Sequence, residues 1–321
     1  MDSESIGVVG LGFLGRGIAT CFLAHGFRVV GYTTGRGEYQ VARDYIAKGI
    51  GELIDRASFS SSLRDEWPDR FLEADGYSDF AQCGFVIESV FEDLAVKQSV
   101  FDQLEAVLQD STPIGSNTSA IPISLLQKGR RFPARFLGVH WAEPAYATRF
   151  LELIKGDQTS DAVLQVADGL GRRTGKEPSM VQEDVPGFIA NRLGYAMYRE
   201  AIHLLESGVG DAETIDRAFR NACGLWATLC GPFRWIDITG GPALYATAMQ
   251  RVLPTLSSSG ELPETLRTML AENRRGVIDG RGFYAYEPGD ASRWEALLHE
   301  HAWEVWRLQQ RYHPLPPAGD R

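Results

Sequence analysis

Cysteines and long apolar runs are scarce in this chain of 321 residues, and its 32 basic residues are outnumbered by 42 acidic ones. The four cysteines show no metal-like spacing and lie among apolar residues, which predicts free, buried thiols in a reducing cytoplasm. No apolar stretch reaches the roughly 18 residues that suggest a membrane span. The net charge of −10 and the lack of any basic run argue against nucleic-acid binding. Disulfide scaffolds, membrane-spanning proteins and general nucleic-acid binders are therefore disfavoured.

The remaining composition is that of an ordinary globular protein, with 44% hydrophobic and 23% charged residues. The chain is long enough for two domains with sizeable cores. Its first five residues lead straight into an apolar run, so we expect no signal peptide and a cytoplasmic location. Several prolines after Tyr312 predict a loose tail.

A glycine-rich loop near the N-terminus predicts a dinucleotide-binding site. Residues 6–9 read as a buried parallel strand, a G-x-G-x-x-G motif follows at once, and residues 16–25 are helix-like. The first glycine permits a tight turn, the second lets a pyrophosphate approach the backbone, and the third lets helix and strand pack closely. A purely structural glycine turn is the alternative. The predicted cofactor-binding residues here are Gly10, Gly12, Phe13, Leu14 and Gly15.

The second predicted strand, residues 27–32, lacks the carboxylate expected at its end. An acidic residue about 20 residues into the motif usually holds the ribose 2′-OH of NAD, but this chain has Thr33 there, with Arg36 nearby. Hydroxyls with an arginine suit the 2′-phosphate of NADP, and a plain surface turn would explain the same residues. NAD is slightly favoured over NADP, and both residues are predicted to bind the cofactor.

The order of elements predicts an α/β fold, a Rossmann-type doubly wound sheet followed by a mostly α-helical C-terminal domain. In the first half, strand-like and helix-like segments alternate, which is typical of parallel sheets. From Asp184 onward, residues 188–207, 211–222 and 242–253 read as helices with no strands between them. We predict an NAD(P)-binding Rossmann domain at 1–183 and a helical substrate and dimerisation domain at 184–321.

Four polar residues beyond the glycine loop suit hydride transfer at a secondary alcohol. Ser119 and His140 follow strand ends, where ligands of such sheets lie. A histidine can take the hydroxyl proton, a carboxylate can orient it, and serine and amide groups can hold substrate oxygens. Each residue alone has an ordinary explanation, such as a helix cap or a packed histidine. The four predicted catalytic residues are Ser119, His140, Glu152 and Asn191.

Several motifs together resemble the L-3-hydroxyacyl-CoA dehydrogenase family over residues 6–286. The overall length is similar to that of a branch of this family that includes L-gulonate 3-dehydrogenase, also known as lambda-crystallin, and L-carnitine dehydrogenase. The motifs, in chain order, are the glycine loop, IESVFEDLAVK, SNTS, GVHWAEP, FLELI, GKEP, DVPGFIANRL, CGPFRWIDITGG and GRGFYAY.

The resemblance implies a role for each matching residue. His140 matches the catalytic base, Glu152 its orienting carboxylate, Ser119 the substrate-binding serine and Asn191 the active-site asparagine. On the cofactor side, Glu92 and Lys97 match positions that contact the nicotinamide ribose, and Asn117 of SNTS is added to the cofactor-binding set.

One departure from the family pattern is Glu143, which stands where the family usually has an asparagine three residues after the histidine. A carboxylate inside the site would raise the pKa of His140 and favour a neutral or cationic substrate. With Trp141 it could suit a quaternary ammonium group. A structural hydrogen bond before Pro144 is the simpler interpretation, and the sequence leaves both open.

Aromatic residues in the second half allow two interpretations. Trp226, Phe233, Trp235 and Tyr245 could line a substrate cleft, but such residues more often form a core or a dimer interface. Residues 294–311 carry an apolar, aromatic helix face that a monomer would struggle to cover, which predicts a homodimer. His299 and His301 lack a convincing ligand set, so no metal is expected.

Three functions follow from these observations. The leading one is NAD(P)-dependent interconversion of a 3-hydroxyacyl-CoA, or a similar 3-hydroxy acid, and the 3-keto compound. The second is the same chemistry on a free hydroxy acid or a carnitine-like substrate, and the third is a nucleotide-binding protein without turnover. The expected partner is a small-molecule substrate. If the first function is correct, this substrate is a CoA thioester.

Overall fold

The computed structural model of the protein describes residues 4–315. The chain divides into two compact units, the first ending at Asn191 and the second running from Arg192 to Pro314. The domain boundary predicted between residues 183 and 184 stays a prediction. The proline-rich tail predicted after Tyr312 extends into residues 316–321, which lie outside the described residues.

An eight-stranded sheet forms the centre of the first unit, with strand order β3-β2-β1-β4-β5-β6-β7-β8. All neighbouring strands are parallel except β6 and β7, which are antiparallel. Its strands are β1 (Ser5–Val9), β2 (Arg28–Tyr32), β3 (Phe71–Glu73), β4 (Phe85–Glu88), β5 (Ile114–Ser116), β6 (Phe136–Trp141), β7 (Phe150–Ile154) and β8 (Glu177–Val181).

Helices flank this sheet and bury its apolar strands, as a parallel sheet requires. The strand order is that of a doubly wound dinucleotide-binding fold, in which ligands lie beyond the carboxyl ends of the strands. The predicted fold class is confirmed. The helices of this unit are α1 (Phe13–Ala24), α2 (Arg36–Ala57), α3 (Leu63–Arg70), α4 (Leu94–Val107), α5 (Ile123–Gln127) and α6 (Asp161–Arg173).

The second unit is helical and buries few of its own residues. Only Ile202 and Trp303 of its helices are buried, and α8 to α11 bury none. Between residues 4 and 315, no helix is long and apolar enough to cross a membrane. Its helices are α7 (Ala190–Glu206), which leads in from the first unit, α8 (Ala212–Ala227), α9 (Pro232–Ile238), α10 (Gly241–Val252), α11 (Glu264–Ala271) and α12 (Asp290–Tyr312).

The cysteines are all free, but their burial was predicted correctly for only two of them. Cys21 and Cys83 are buried in the first unit, whereas Cys223 and Cys230 are partly exposed in the second. Cys223 lies on α8, none of whose residues is buried, and Cys230 follows that helix in the chain.

Candidate active site

The glycine loop joins β1 to α1 with close backbone contacts. Gly10 has a φ of +96°, and a Cβ there would lie 2.5 Å from the Ser89 carbonyl oxygen. A Cβ on Gly15 would lie 1.8 Å from the Gly10 oxygen, so only glycine fits at either position. Gly12 is different, because a Cβ there would meet no atom within 4 Å. The open space at the N-terminus of α1 suits a pyrophosphate.

The polar residue Asn117 connects the carboxyl ends of three neighbouring strands. Its Nδ2 donates to Ser89 Oγ at 3.1 Å, just after β4, and its Oδ1 accepts from the Trp141 backbone N–H at 2.9 Å, in β6. Its own N–H donates to the Glu88 carbonyl. Asn117 therefore fixes the strand ends among which a cofactor would lie, and its predicted direct contact with the cofactor stays a prediction.

A buried charge cluster lies beside this edge of the sheet. Lys97 Nζ lies 2.8 Å from Glu88 Oε1 and 3.2 Å from Glu92 Oε2, and the lysine is fully buried. Ser116 Oγ donates to the other oxygen of Glu88 at 2.6 Å. The buried ammonium is thus paired with two carboxylates, as burial of a charge requires.

Glu92 connects that cluster to the loop that carries Ser119. Its Oε1 accepts from Thr118 Oγ1 at 2.6 Å and from the backbone N–H groups of Ser119 and Ala120 at 2.9 and 3.0 Å. Burial opposes ionisation of this carboxyl, but the Thr118 hydroxyl, the Lys97 charge and these N–H groups outweigh it and lower the pKa of Glu92. A charged Glu92 therefore positions the Ser119 loop.

His140 and Glu152 face each other across the antiparallel pair β6 and β7. They are direct partners in the register, and His140 Nδ1 lies 2.9 Å from Glu152 Oε2. Glu152 is 1% exposed and His140 9% exposed. The rings of Phe150 and Phe188 pack against the imidazole at centroid distances of 5.4 and 5.7 Å. With Nδ1 directed at Glu152, Nε2 remains as the nitrogen for a ligand.

The other oxygen of Glu152 is held by the start of α7. Glu152 Oε1 accepts from the backbone N–H of Ala190 at 2.8 Å and of Ile189 at 3.2 Å. The turn before them contains Gly187 at φ +78° and Phe188 at φ +53°. A left-handed phenylalanine costs about 1–3 kcal/mol, and here the strained turn presents both donors to the carboxylate.

Asn191 and Ser119 are in direct contact, because Asn191 Nδ2 donates to the Ser119 carbonyl oxygen at 3.1 Å. Asn191 directly follows Ala190, which binds Glu152. Hydrogen bonds and chain neighbours thus connect all four predicted catalytic residues within the first unit. Four further residues near the site were not predicted from the sequence. Two of them, Phe150 and Phe188, pack against His140, and the other two, Glu88 and Ser116, belong to the cluster around Lys97.

Thr33 directly follows β2 and Arg36 begins α2, in the turn where this fold is expected to hold the adenosine ribose. Thr33 Oγ1 donates a short hydrogen bond to Glu38 Oε2, in the first turn of α2. Arg36 is exposed at the first position of that helix. Glu38 was not among the residues identified from the sequence.

Glu143 lies against helices α1 and α2. The Tyr45 hydroxyl donates a short hydrogen bond to Glu143 Oε1, and Glu143 Oε2 lies 3.4 Å from where a Cβ on Gly17 would be. Burial and then the charge of Glu143 raise the pKa of Tyr45 well above its ordinary value. These contacts favour the structural interpretation of Glu143.

The aromatic residues of the second unit are poorly covered. Trp226 and Trp235 stack at 5.5 Å, but Phe233 is 84% exposed. On α12, Trp294, Leu297 and Leu298 are exposed, whereas Trp303 is buried. Within residues 4–315, no group of three or more His, Cys, Asp or Glu side chains is arranged to hold a metal ion; the expectation of no metal stays a prediction.

The fold and this arrangement define a dinucleotide-dependent oxidoreductase that acts on CH–OH groups. The family model for the NAD binding domain of 3-hydroxyacyl-CoA dehydrogenase matches residues 5–185, and the model for its C-terminal domain matches residues 187–286. The chain belongs to the 3-hydroxyacyl-CoA dehydrogenase family, and the resemblance seen in the sequence is confirmed.

Two curated relatives show the range of substrates among similar proteins. A 5-formyl-3-hydroxy-2-methylpyridine 4-carboxylate 5-dehydrogenase of Mesorhizobium japonicum is 28% identical over 286 residues, which cover 89% of this chain and 91% of that protein. A 3-hydroxybutyryl-CoA dehydrogenase of Bradyrhizobium diazoefficiens is 32% identical over 284 residues, which cover 88% and 95%.

Solved structures give a similar result. The crystal structure of a 5-formyl-3-hydroxy-2-methylpyridine 4-carboxylic acid 5-dehydrogenase, described as an NAD⁺-dependent dismutase, has a TM-score of 0.88 at 27% identity, covering 98% of this chain and 100% of that one. The (S)-3-hydroxybutyryl-CoA dehydrogenase of Ralstonia eutropha has a TM-score of 0.74 at 28% identity, covering 89% and 100%.

Proposed function

We propose that this protein is an NAD-dependent dehydrogenase that interconverts a 3-hydroxyacyl-CoA, or a similar 3-hydroxy acid, and the 3-keto compound, with His140 and Glu152 as the acid/base pair. The observation that carries the proposal is the contact of 2.9 Å between His140 Nδ1 and Glu152 Oε2 on paired strands. A histidine oriented by a buried carboxylate is suited to move a proton at its other ring nitrogen.

In the oxidative direction, His140 Nε2 takes the proton of the substrate hydroxyl. Bound NAD supplies the hydride acceptor. Glu152 holds the imidazole in the tautomer that leaves Nε2 able to accept, and it favours the imidazolium as that forms. Phe150 and Phe188 cover the ring and limit access of water. Ser119 and Asn191, linked to each other, orient the substrate oxygens.

The cofactor-binding roles proposed for Glu92 and Lys97 fit an indirect arrangement. Lys97 is fully buried and is paired with Glu88 and Glu92. Glu92 is partly exposed and holds the Ser119 loop. We infer that Lys97 acts through Glu92 and that Glu92, the partly exposed member of the pair, makes the contact with the nicotinamide ribose.

A second candidate substrate is a free carboxylate without CoA. The observation that favours it is the TM-score of 0.88 with an enzyme whose name gives a pyridine carboxylic acid as substrate, against 0.74 with a hydroxybutyryl-CoA dehydrogenase. The carnitine-like alternative has less support, since Glu143 is engaged with Tyr45. Turnover-free nucleotide binding is disfavoured by the connected set around His140.

A substrate panel tests the proposal. Purified protein with NAD is supplied with (S)-3-hydroxybutyryl-CoA, free 3-hydroxybutyrate, L-carnitine or a pyridine carboxylate aldehyde, and nicotinamide absorbance reports turnover. The leading proposal expects the highest kcat/KM with the thioester. A preference for a free acid by about tenfold or more, a difference of about 1.4 kcal/mol in transition-state binding, would overturn the CoA thioester as the substrate in favour of a free acid, and no turnover with any of the four compounds would overturn the proposed chemistry.

We also propose a homodimer formed through the second unit. A groove of about 750 Å³ in this unit is lined mainly by apolar side chains, among them Tyr198, Ile202, Leu266 and Leu270. Four of its helices bury no residue. So much uncovered apolar surface marks an interface, and a second copy is the partner that symmetric assembly supplies. A cytoplasmic location remains a prediction.

A further inference from the structure

The end of β2 carries a carboxylate, although no acidic residue stands at the expected place in the sequence. Glu38 lies in the first turn of α2 and accepts a hydrogen bond from Thr33 Oγ1. Its side chain folds back over Gly35, where a Cβ would approach the Glu38 Cγ and Cδ to 3.3 and 3.2 Å. The Glu38 side chain therefore lies close against the backbone of Gly35, directly before α2.

A tyrosine fixes the turn that brings Glu38 back. Tyr39 Oη donates to the Ala74 carbonyl oxygen at 2.7 Å, directly after β3, and accepts from the Thr33 backbone N–H at 3.3 Å. The turn is thereby attached to both β2 and β3. Glu38 is therefore held next to the strand end rather than projecting from an unattached loop.

The two arginines near this turn, Arg36 and Arg43, differ in their contacts and exposure. Arg43 forms a short ion pair with Glu73 and lies over the Phe71 ring at 5.2 Å. Arg36 is exposed and is the only arginine of the turn 33–39. Any 2′-phosphate at the end of β2 would meet the Glu38 carboxylate beside Thr33, with Arg36 as its sole nearby counter-charge in that turn.

We propose that Glu38 is the acceptor of the adenosine ribose 2′-OH and the residue that selects NAD over NADP. A carboxylate can accept the hydrogen bond of a ribose hydroxyl, and it repels a phosphate placed at the same position, since repulsion is a common means of specificity. Thr33 is a positioning residue that holds the carboxylate. The proposal rests on the proposed use of NAD, but it does not depend on the assignments at His140.

Nucleotide binding tests Glu38 without relying on turnover. Dissociation constants for NADH and NADPH are measured by quenching of tryptophan fluorescence in the full-length protein, its E38Q variant and a control, D44N, which removes one negative charge from an exposed site on the same helix. We expect the wild type to bind NADH at least about tenfold more tightly than NADPH. E38Q should reduce that ratio by about tenfold or more, while D44N leaves it within about twofold.

Two further variants separate the contributions of the turn. T33V should shift the ratio in the same direction as E38Q, but less, because Glu38 loses its anchor and keeps its charge. Combining R36A with E38Q should remove the gained NADPH affinity, because Arg36 is then the group that meets the phosphate.

The outcomes distinguish this proposal from the proposed function. A wild type that prefers NADH with a ratio unmoved by E38Q would overturn the role of Glu38 and leave NAD dependence intact. A wild type that prefers NADPH, or that binds neither nucleotide, would overturn both. Circular dichroism of E38Q at neutral pH is the control for folding. A spectrum like that of the wild type shows that a changed ratio of NADH to NADPH affinity does not reflect unfolding.

Discussion

His140 is the residue on which the proposed chemistry depends most directly. Replacing it with glutamine keeps a side chain of similar reach but removes the proton acceptor, so kcat should fall by about 10²- to 10⁴-fold. The affinity for NADH should stay close to that of the wild type, because the glycine loop is unchanged. Stopped-flow or steady-state absorbance gives kcat, and fluorescence titration gives the affinity. Near-normal kcat in the folded variant would refute the role of His140.

Replacing Glu152 with glutamine tests its role separately, because the amide has the same size but reverses the direction of the hydrogen bond with His140 Nδ1. In E152Q the oxygen can still accept from Ile189 and Ala190, and the NH₂ group then faces His140 Nδ1. The imidazole would be driven to the tautomer that protonates Nε2, which cannot accept the substrate proton. We expect kcat to fall by about 10- to 10⁴-fold. If the variant lost only stability, with an unchanged kcat, Glu152 would be a structural residue.

Some individual site residues could be predicted from the sequence, and others could not. His140, Glu152, Ser119 and Asn191 were identified by type, spacing and resemblance, and their connection by hydrogen bonds is what the structure adds. Glu38 was missed because its contact with Thr33 depends on the path of a turn. The environment of Glu143 was open for the same reason, since Tyr45 lies far away in the sequence.

At the scale of elements, buried parallel strands were the easiest to predict. Strands β1 and β2, expected at residues 6–9 and 27–32, are short runs that are mostly buried, and such runs stand out in a sequence. Strand β3 was missed because it has three residues, of which only Phe71 is buried, inside a polar segment. The antiparallel direction of β7 also could not be predicted, because an apolar run carries no information on which way it pairs.

The contact between α2 and the segment joining β6 to β7 should be sensitive to alkaline pH. Tyr146, in that segment, donates to Glu52 Oε2 at 2.9 Å. Burial, followed by the charge of Glu52, raises the pKa of Tyr146 above its ordinary value of 10.0. Between the two values the unfolded chain loses this proton and the folded chain keeps it. The contribution of the protonated Tyr146 to the free energy of unfolding is therefore complete below pH 10 and is lost as the pH rises further.

The Y146F variant isolates that contribution. The wild type should have the higher free energy of unfolding at neutral pH, and its advantage over Y146F should shrink by up to about 1.4 kcal/mol for each pH unit above 10. Urea unfolding followed by circular dichroism at about pH 8 and about pH 11 measures the difference. A gap that is the same at both pH values would show that the Tyr146 proton is not linked to folding.

For the whole molecule, the assembly proposed for the second unit can be tested with one charge. Leu270 lines the apolar groove and is 73% exposed. L270E places a carboxylate where a second copy would have to cover it, so the dimer dissociation constant should rise by about tenfold or more. Sedimentation velocity over a range of micromolar concentrations measures the change.

The matched control is V166E, which adds the same charge at a half-exposed apolar position on α6, outside the groove. It should sediment as the wild type does. A wild type that sediments as a monomer, or an L270E variant that stays dimeric, would contradict assembly through this groove.

The hydrogen bonds from Ile189 and Ala190 to Glu152 can form only late in the synthesis of this domain. The whole sheet, including His140 and Glu152, is synthesised before the residues that hold the second oxygen of the carboxylate. Until the ribosome has delivered the first turn of α7, Glu152 has His140 but lacks both backbone donors. The contacts that orient the imidazole are therefore completed only as the chain enters its helical part, and a nascent nucleotide-binding domain does not yet have the finished His140–Glu152 pair.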